Sequence, residues 1–147
     1  MKNCVFCKIV KGEIDSVKIW EDKDFLAILD VNPNTKGMTL ILTKKHYSSY
    51  AFKMPRKIYQ KFMLAAKKVA EILEKGLKVK RVAMVMEGMG IDHAHLKLYP
   101  LYLTKKPPKP LKKRFFKTFP GYLNTQLGPP ADLKKLKKIA KKIKGFL

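Results

Sequence analysis

Two cysteines in 147 residues are too few for a disulfide framework, and only three histidines are present to share any imidazole chemistry. No apolar run approaches the length of a membrane span. The stretch after Met1 is broken by Lys8, Lys11 and Glu13 before a signal-like core can form, so the chain is expected in the cytoplasm. Acidic residues are scarce: 11 Asp and Glu stand against 33 Lys and Arg, for a net charge of +22. With 46% apolar residues, the chain can bury one core, and a second large domain is not expected. No internal repeat is visible.

The charge is uneven, because residues 105–147 hold fourteen Lys and Arg against Asp132 alone. A field of that sign attracts polyphosphates, nucleic acid or anionic membrane surfaces, and it speaks to partners rather than fold. A lysine excess with little glutamine also suits high temperature or solubility alone.

Residues Cys4 to Gly12 read as a short helix ended by glycine. Val17–Trp20 and Phe25–Leu29 read as a strand hairpin turning through Glu21 to Asp24. Turn formers fill Asp30 to Lys36, and a third strand follows over Met38–Leu42. Ile58, Phe62, Ala65, Val69, Ile72 and Leu73 recur at helical spacing, which predicts a long helix over Pro55–Lys75 stopped by Gly76. Arg81–Glu87 and His93–Leu101 complete an antiparallel meander, and one helix on such a sheet is an α+β arrangement. Lys105 to Pro120, rich in lysine and proline, is expected to run as extended chain. Asp132 is placed to cap a last helix with Leu133, Leu136, Ile139, Ala140 and Ile143 on one face, suited to docking on the same domain.

Two motifs carry chemistry. Along an extended strand, alternation puts His93, His95 and Lys97 on one face and Ala94, Leu96 and Leu98 on the other. Cys4 and Cys7 have the spacing by which one turn offers two thiolates to a tetrahedral ion. Three other readings stay open for the cysteines. A redox pair lacks its surrounding βαβ pattern, a disulfide is disfavoured in a reducing compartment, and buried thiols can serve as small apolar residues.

The stretch from His93 to Pro100 resembles the histidine-triad (HIT) family, whose signature alternates three histidines with apolar residues and often closes on proline. The resemblance covers residues 3–103. It implies a five-stranded antiparallel sheet with a long helix packed on it in residues 1–104, followed by a basic extension over 105–147. His95 falls on the histidine that attacks phosphorus, while Lys97 stands where the third histidine would be and is implied as a second catalytic group that supplies positive charge. In relatives with an N-terminal Cys-x-x-Cys, a structural zinc is held by four side chains that map onto Cys4, Cys7, His46 and His93. Asp30 maps onto a ribose ligand, and Val5, Phe6, Ile9, Ile28 and Val31 onto an apolar slot for the base, although Ile28 reads better as core. In the loop before the signature, where the family often has Asn, Gln or Ser, this chain has Met86, Met89 and Gly90.

The resemblance implies a homodimer that binds a purine nucleotide and cleaves at the α-phosphate of a dinucleoside polyphosphate or nucleoside phosphoramidate through a nucleotidyl-histidine. Two other expectations stand beside it. One is removal of 5′-adenylate from nucleic acid held by the basic extension, as in aprataxin-like relatives. The other is a nucleotide- or RNA-binding module without turnover.

Overall fold

Strands rich in Ile, Leu and Phe need cover on both faces, and the chain supplies it with helices on either side of one sheet. The structure is a computed structural model that describes residues 3–102 and 130–145. The elements are α1 (Val5–Lys11), β1 (Lys18–Glu21), β2 (Phe25–Leu29), β3 (Thr39–Thr43), α2 (Arg56–Leu77), β4 (Val82–Val85), β5 (His95–Pro100) and α3 (Leu133–Lys144), with a 3-10 turn at Ala51–Lys53. The five strands form one antiparallel sheet in the order β1-β2-β3-β5-β4, as the α+β reading expected.

Every residue of β2 and β3 is buried. On one face Phe25, Ala27, Leu29, Ile41, Leu96 and Leu98 meet Phe62, Val69 and Leu73 of α2, and the Phe25 and Phe62 rings stack with centroids 5.1 Å apart. On the other face Leu26, Ile28, Leu40 and Leu42 meet Phe6 of α1. The helix α1 ends at Gly12, whose φ of 78° is the left-handed cap expected of a glycine stop.

The long helix corrects one expectation. It runs through Gly76 to Leu77 and ends at Lys78, which takes the left-handed conformation itself. Gly76 instead packs directly against the backbone of α3: a Cβ there would lie 2.3 Å from the Ile143 Cα. Helix α3 seats Leu136, Ala140 and Ile143 in the core, and the Asp132 side chain accepts from the Lys134 amide at 2.8 Å as its cap.

The last two strands are shorter than expected. In particular β5 begins at His95, because the Ala94 amide donates to the Tyr47 carbonyl at 2.8 Å instead of joining the sheet ladder. The expected extended segment Lys105–Pro120 lies outside the described residues.

Candidate functional site

Strand β5 and helix α1 build the site between them. The first turn of α1 carries Cys4 and Cys7 to the end of β3, where His46 follows Thr43, and to His93 just before β5. The ligand atoms of these four side chains all lie within 4.8 Å of one another. His93 Nδ1 is 3.4 Å from Cys4 Sγ and 3.5 Å from Cys7 Sγ, and His46 Nδ1 is 3.3 Å from Cys7 Sγ. Tetrahedral coordination with ordinary zinc–sulfur and zinc–nitrogen bonds separates S from N by about 3.6 Å, so the cluster has the dimensions of such a site.

The tautomer fits as well. His93 is fully buried and its Nε2 lies 2.8 Å from the Thr43 carbonyl, which can only accept. Nε2 therefore carries the hydrogen, and Nδ1 turns a lone pair toward the sulfurs. Burial pushes the His93 pKa down and keeps the ring neutral, as a ligand must be. Burial, then the neighbouring Cys4, pushes the Cys7 thiol up, so a thiolate pair here needs a cation to compensate it.

His95 is oriented the opposite way. Its Nδ1 lies 2.7 Å from the His93 carbonyl, so Nδ1 bears the hydrogen and the Nε2 lone pair is left to act. Burial is the main cause that lowers its pKa, with the Lys97 charge adding to it. The Phe6 ring stands edge-on against both imidazoles, at 5.7 Å from His93 and 5.2 Å from His95.

Beside His95 opens a cavity of about 500 Å³. Val5, Phe6 and Ile9 of α1 wall one side, Ile28, Asp30 and Val31 another, and Lys97 lies in its lining with His95. Ile28 is therefore both core and wall. Asp30 is buried, and its Oδ1 accepts the Asn32 amide at 2.8 Å, which fixes the carboxylate at the pocket's edge. A mostly apolar slot with a few convergent polar groups is the shape of a small-molecule site.

The HIT domain model matches residues 11–99. The chain belongs to the HIT family. It is 37% identical over 103 residues to an uncharacterised HIT-like protein of Methanocaldococcus jannaschii, covering 67% of this chain and 79% of that one. It is 32% identical over 102 residues to an adenosine 5′-monophosphoramidase of Saccharomyces cerevisiae, covering 66% of this chain and 61% of that protein. The crystal structure of a zinc-bound histidine triad family protein from Mycobacterium smegmatis shares the fold, with a TM-score of 0.72, 21% identity, and coverage of 98% of this chain and 92% of that one.

The HIT resemblance did not single out Glu87. This residue lines the cavity and forms an ion pair with Lys97. The signal was present in the sequence as an acidic residue ten positions before Lys97 across a glycine-rich turn, but only the register, with Val85 opposite Lys97, makes them neighbours. Ile14, Asp15, Ser16 and Ile91 of the lining were also missed, since turns carry no periodicity to read. The turn carrying Glu87 is pinned: Asp92 accepts from the Ser48 hydroxyl at 2.9 Å and the Ser49 amide at 2.8 Å, and Ser49 Oγ donates to the Gly88 carbonyl at 2.8 Å.

Proposed function

We propose that this HIT protein binds a purine nucleotide and cleaves at the α-phosphate of a nucleoside phosphoramidate or dinucleoside polyphosphate through a nucleotidyl-His95 intermediate. The observation that carries the reading is the His95 hydrogen bond. A backbone oxygen holds Nδ1–H, so a neutral ring presents the Nε2 lone pair to the cavity. Asp30 holds the ribose, Val5, Phe6, Ile9 and Val31 enclose the base, and Lys97 supplies positive charge at the phosphate end. The phosphoramidase activity of the yeast relative agrees with this assignment.

Cys4, Cys7, His46 and His93 hold a zinc ion in this reading. With all four positions taken by protein it is structural, and its chemistry is to tie α1 to β3 and β5 so that the pocket walls keep their places. The zinc-bound mycobacterial relative agrees with that choice of metal. The edge strand β4, with Met84 half exposed, is the natural seam for a homodimer with a continuous sheet. Residues 1–104 act as the catalytic domain and 105–147 as its basic extension, in a cytoplasmic protein.

The test is intact-mass spectrometry after rapid mixing with adenosine 5′-phosphoramidate, quenched in alkali. An adenylyl adduct is expected on the parent protein and not on His95→Ala. Its absence from both, with no AMP released, overturns the reading.

One observation favours a nucleic-acid substrate for the same site. Helix α3 seats its apolar face in the core and is left with seven lysines in twelve residues, about one positive charge per 2.6 Å at the helical rise. With that face committed, the helix suits a phosphate backbone better than a bilayer. A 5′-adenylated strand then binds with steep salt dependence, and Lys134→Glu with Lys138→Glu flattens the slope.

A further inference from the structure

Between β3 and α2 the chain interleaves three aromatic rings, Tyr47, Tyr50 and Phe52, with Lys44, Lys45 and Lys53, and residues 44–57 contain no Asp or Glu. The fold turns that pattern into a surface. Phe52 is 82% exposed and Tyr50 51%, and their rings meet edge to face with centroids 5.6 Å apart. Lys53 Nζ stands 6.0 Å over the Tyr50 ring, and Lys45 Nζ stands 5.7 Å over the Tyr47 ring. A single exposed ring is ordinary, whereas paired rings with an ammonium over one of them call for a partner.

The turn is held in place from beneath. The Lys53 amide donates to the Tyr50 carbonyl at 3.0 Å and the Met54 amide to the Ala51 carbonyl at 3.1 Å, while Ala51 and Met54 are buried. The Asp92 carboxylate that reaches this turn is taken up by the Ser48 hydroxyl and the Ser49 amide. Ser49 Oγ also donates to the Gly88 carbonyl, and the residues on either side of Gly88, Glu87 and Met89, line the cavity. The aromatic turn is thereby fastened to the cavity's rim.

We propose that this turn is a docking surface for single-stranded nucleic acid, with Tyr50 and Phe52 stacking on bases and Lys45 and Lys53 meeting phosphates. Every base has a π-face, so such a surface takes any sequence, and a duplex hides the faces it needs. Helix α3, with seven lysines and no ring, offers charge alone. A bilayer suits the turn less well, because its other apolar side chains, Ala51 and Met54, are committed to the interior and Tyr50 carries an ammonium. A strand held here has its end beside the cavity of His95. Binding itself does not rest on the reading of His95, since neither Tyr50 nor Phe52 lines the cavity.

The experiment is fluorescence anisotropy of the full chain with a labelled oligothymidylate of about twelve nucleotides, and with an abasic strand of equal length and charge. The parent is expected to bind the thymidylate at least about tenfold more tightly. Phe52→Ala and Tyr50→Ala are each expected to weaken thymidylate binding by about 5- to 100-fold and to leave abasic binding unchanged. Phe52→Trp keeps the affinity while Phe52→Leu, equally apolar, loses it, so a failure to fold does not account for the pattern. Lys53→Gln is expected to weaken both strands and to reduce the slope of log K against log salt by about 0.7. Equal affinity for the two strands, or base-dependent binding that survives in the Tyr50→Ala, Phe52→Ala double variant, overturns the inference. A change of oligomeric state in Phe52→Ala, read by sedimentation, overturns it by making the turn an interface between copies. A larger loss by Phe52→Ala on phosphatidylglycerol vesicles than on thymidylate overturns it in favour of a membrane. Thymidylate binding through these rings in a protein that forms no adenylyl adduct supports the inference while the reading of His95 fails.

Discussion

The His93 carbonyl and the Thr43 carbonyl decide the chemistry of two adjacent imidazoles by accepting from opposite ring nitrogens. One ring turns Nδ1 to the side chains of Cys4, Cys7 and His46, and the other turns Nε2 to a cavity. His95→Ala is therefore expected to lower turnover by at least about 10³-fold while leaving metal content unchanged, as read by single-turnover kinetics and metal analysis together. Tyr99 illustrates a different residue-scale effect. Its hydroxyl is buried and finds no hydrogen-bond partner among the described residues, and burial pushes its pKa up to about 12. The neutral phenol of the folded state is favoured, so this stability is fully present below pH 10, the unfolded value, and is lost as pH rises through 12. The loss amounts to about 2 to 3 kcal/mol. Tyr99→Phe is expected to abolish that alkaline loss and to be neutral or stabilising by about 1 kcal/mol at pH 7, in denaturant titrations at both pH values.

At the scale of elements, α1 and α3 are each fastened by one local device. The seven-residue α1 is too short to be stable alone, and its Cys and His contacts hold it against the sheet while its other side walls the pocket. Removing the metal by chelation is expected to release α1, speed proteolysis near Lys11 and weaken nucleotide binding together. Purified protein with less than one zinc per chain and an intact pocket would contradict this. For α3, two effects compete at Gly76. Alanine gains about 1 kcal/mol in helix propensity, whereas its Cβ would meet the Ile143 Cα at 2.3 Å, and overpacking of that kind costs about 1 to 3 kcal/mol. Backbone cannot swing aside as a side-chain tip can, so Gly76→Ala is expected to lower the melting temperature.

The whole molecule separates its charge from its chemistry. Lysines crowd α3, while among the described residues the cavity is lined by more carboxylates than ammonium groups. The general field raises the local concentration of anions around the protein. A salt titration checks this. Turnover of a small phosphoramidate at saturation is expected to be nearly independent of salt, while binding of an oligonucleotide falls steeply. No helix among the described residues is long and apolar enough to cross a membrane.

Much of the fold was legible because its signals are local and periodic. Alternation located the strands, helical spacing located α2 and α3, Gly12 marked a true helix end, and the HIT signature ordered them into one sheet. The candidate residues were legible as types, since Cys4 with Cys7 and His93 with His95 carry their spacing on their face. Tertiary structure decided what depends on partners distant in the chain. Gly76 looked like a stop because glycine ends helices, and only the crossing of α3 reveals it as a contact. Glu87 looked like an ordinary strand-end acid until the β4–β5 register set it against Lys97. The protonated nitrogen of each imidazole was likewise beyond spacing, because it is chosen by which backbone oxygen lies in reach. Elements and reactive groups follow from local pattern in the chain, whereas which groups face one another, and in what protonation state, depends on contacts between distant segments.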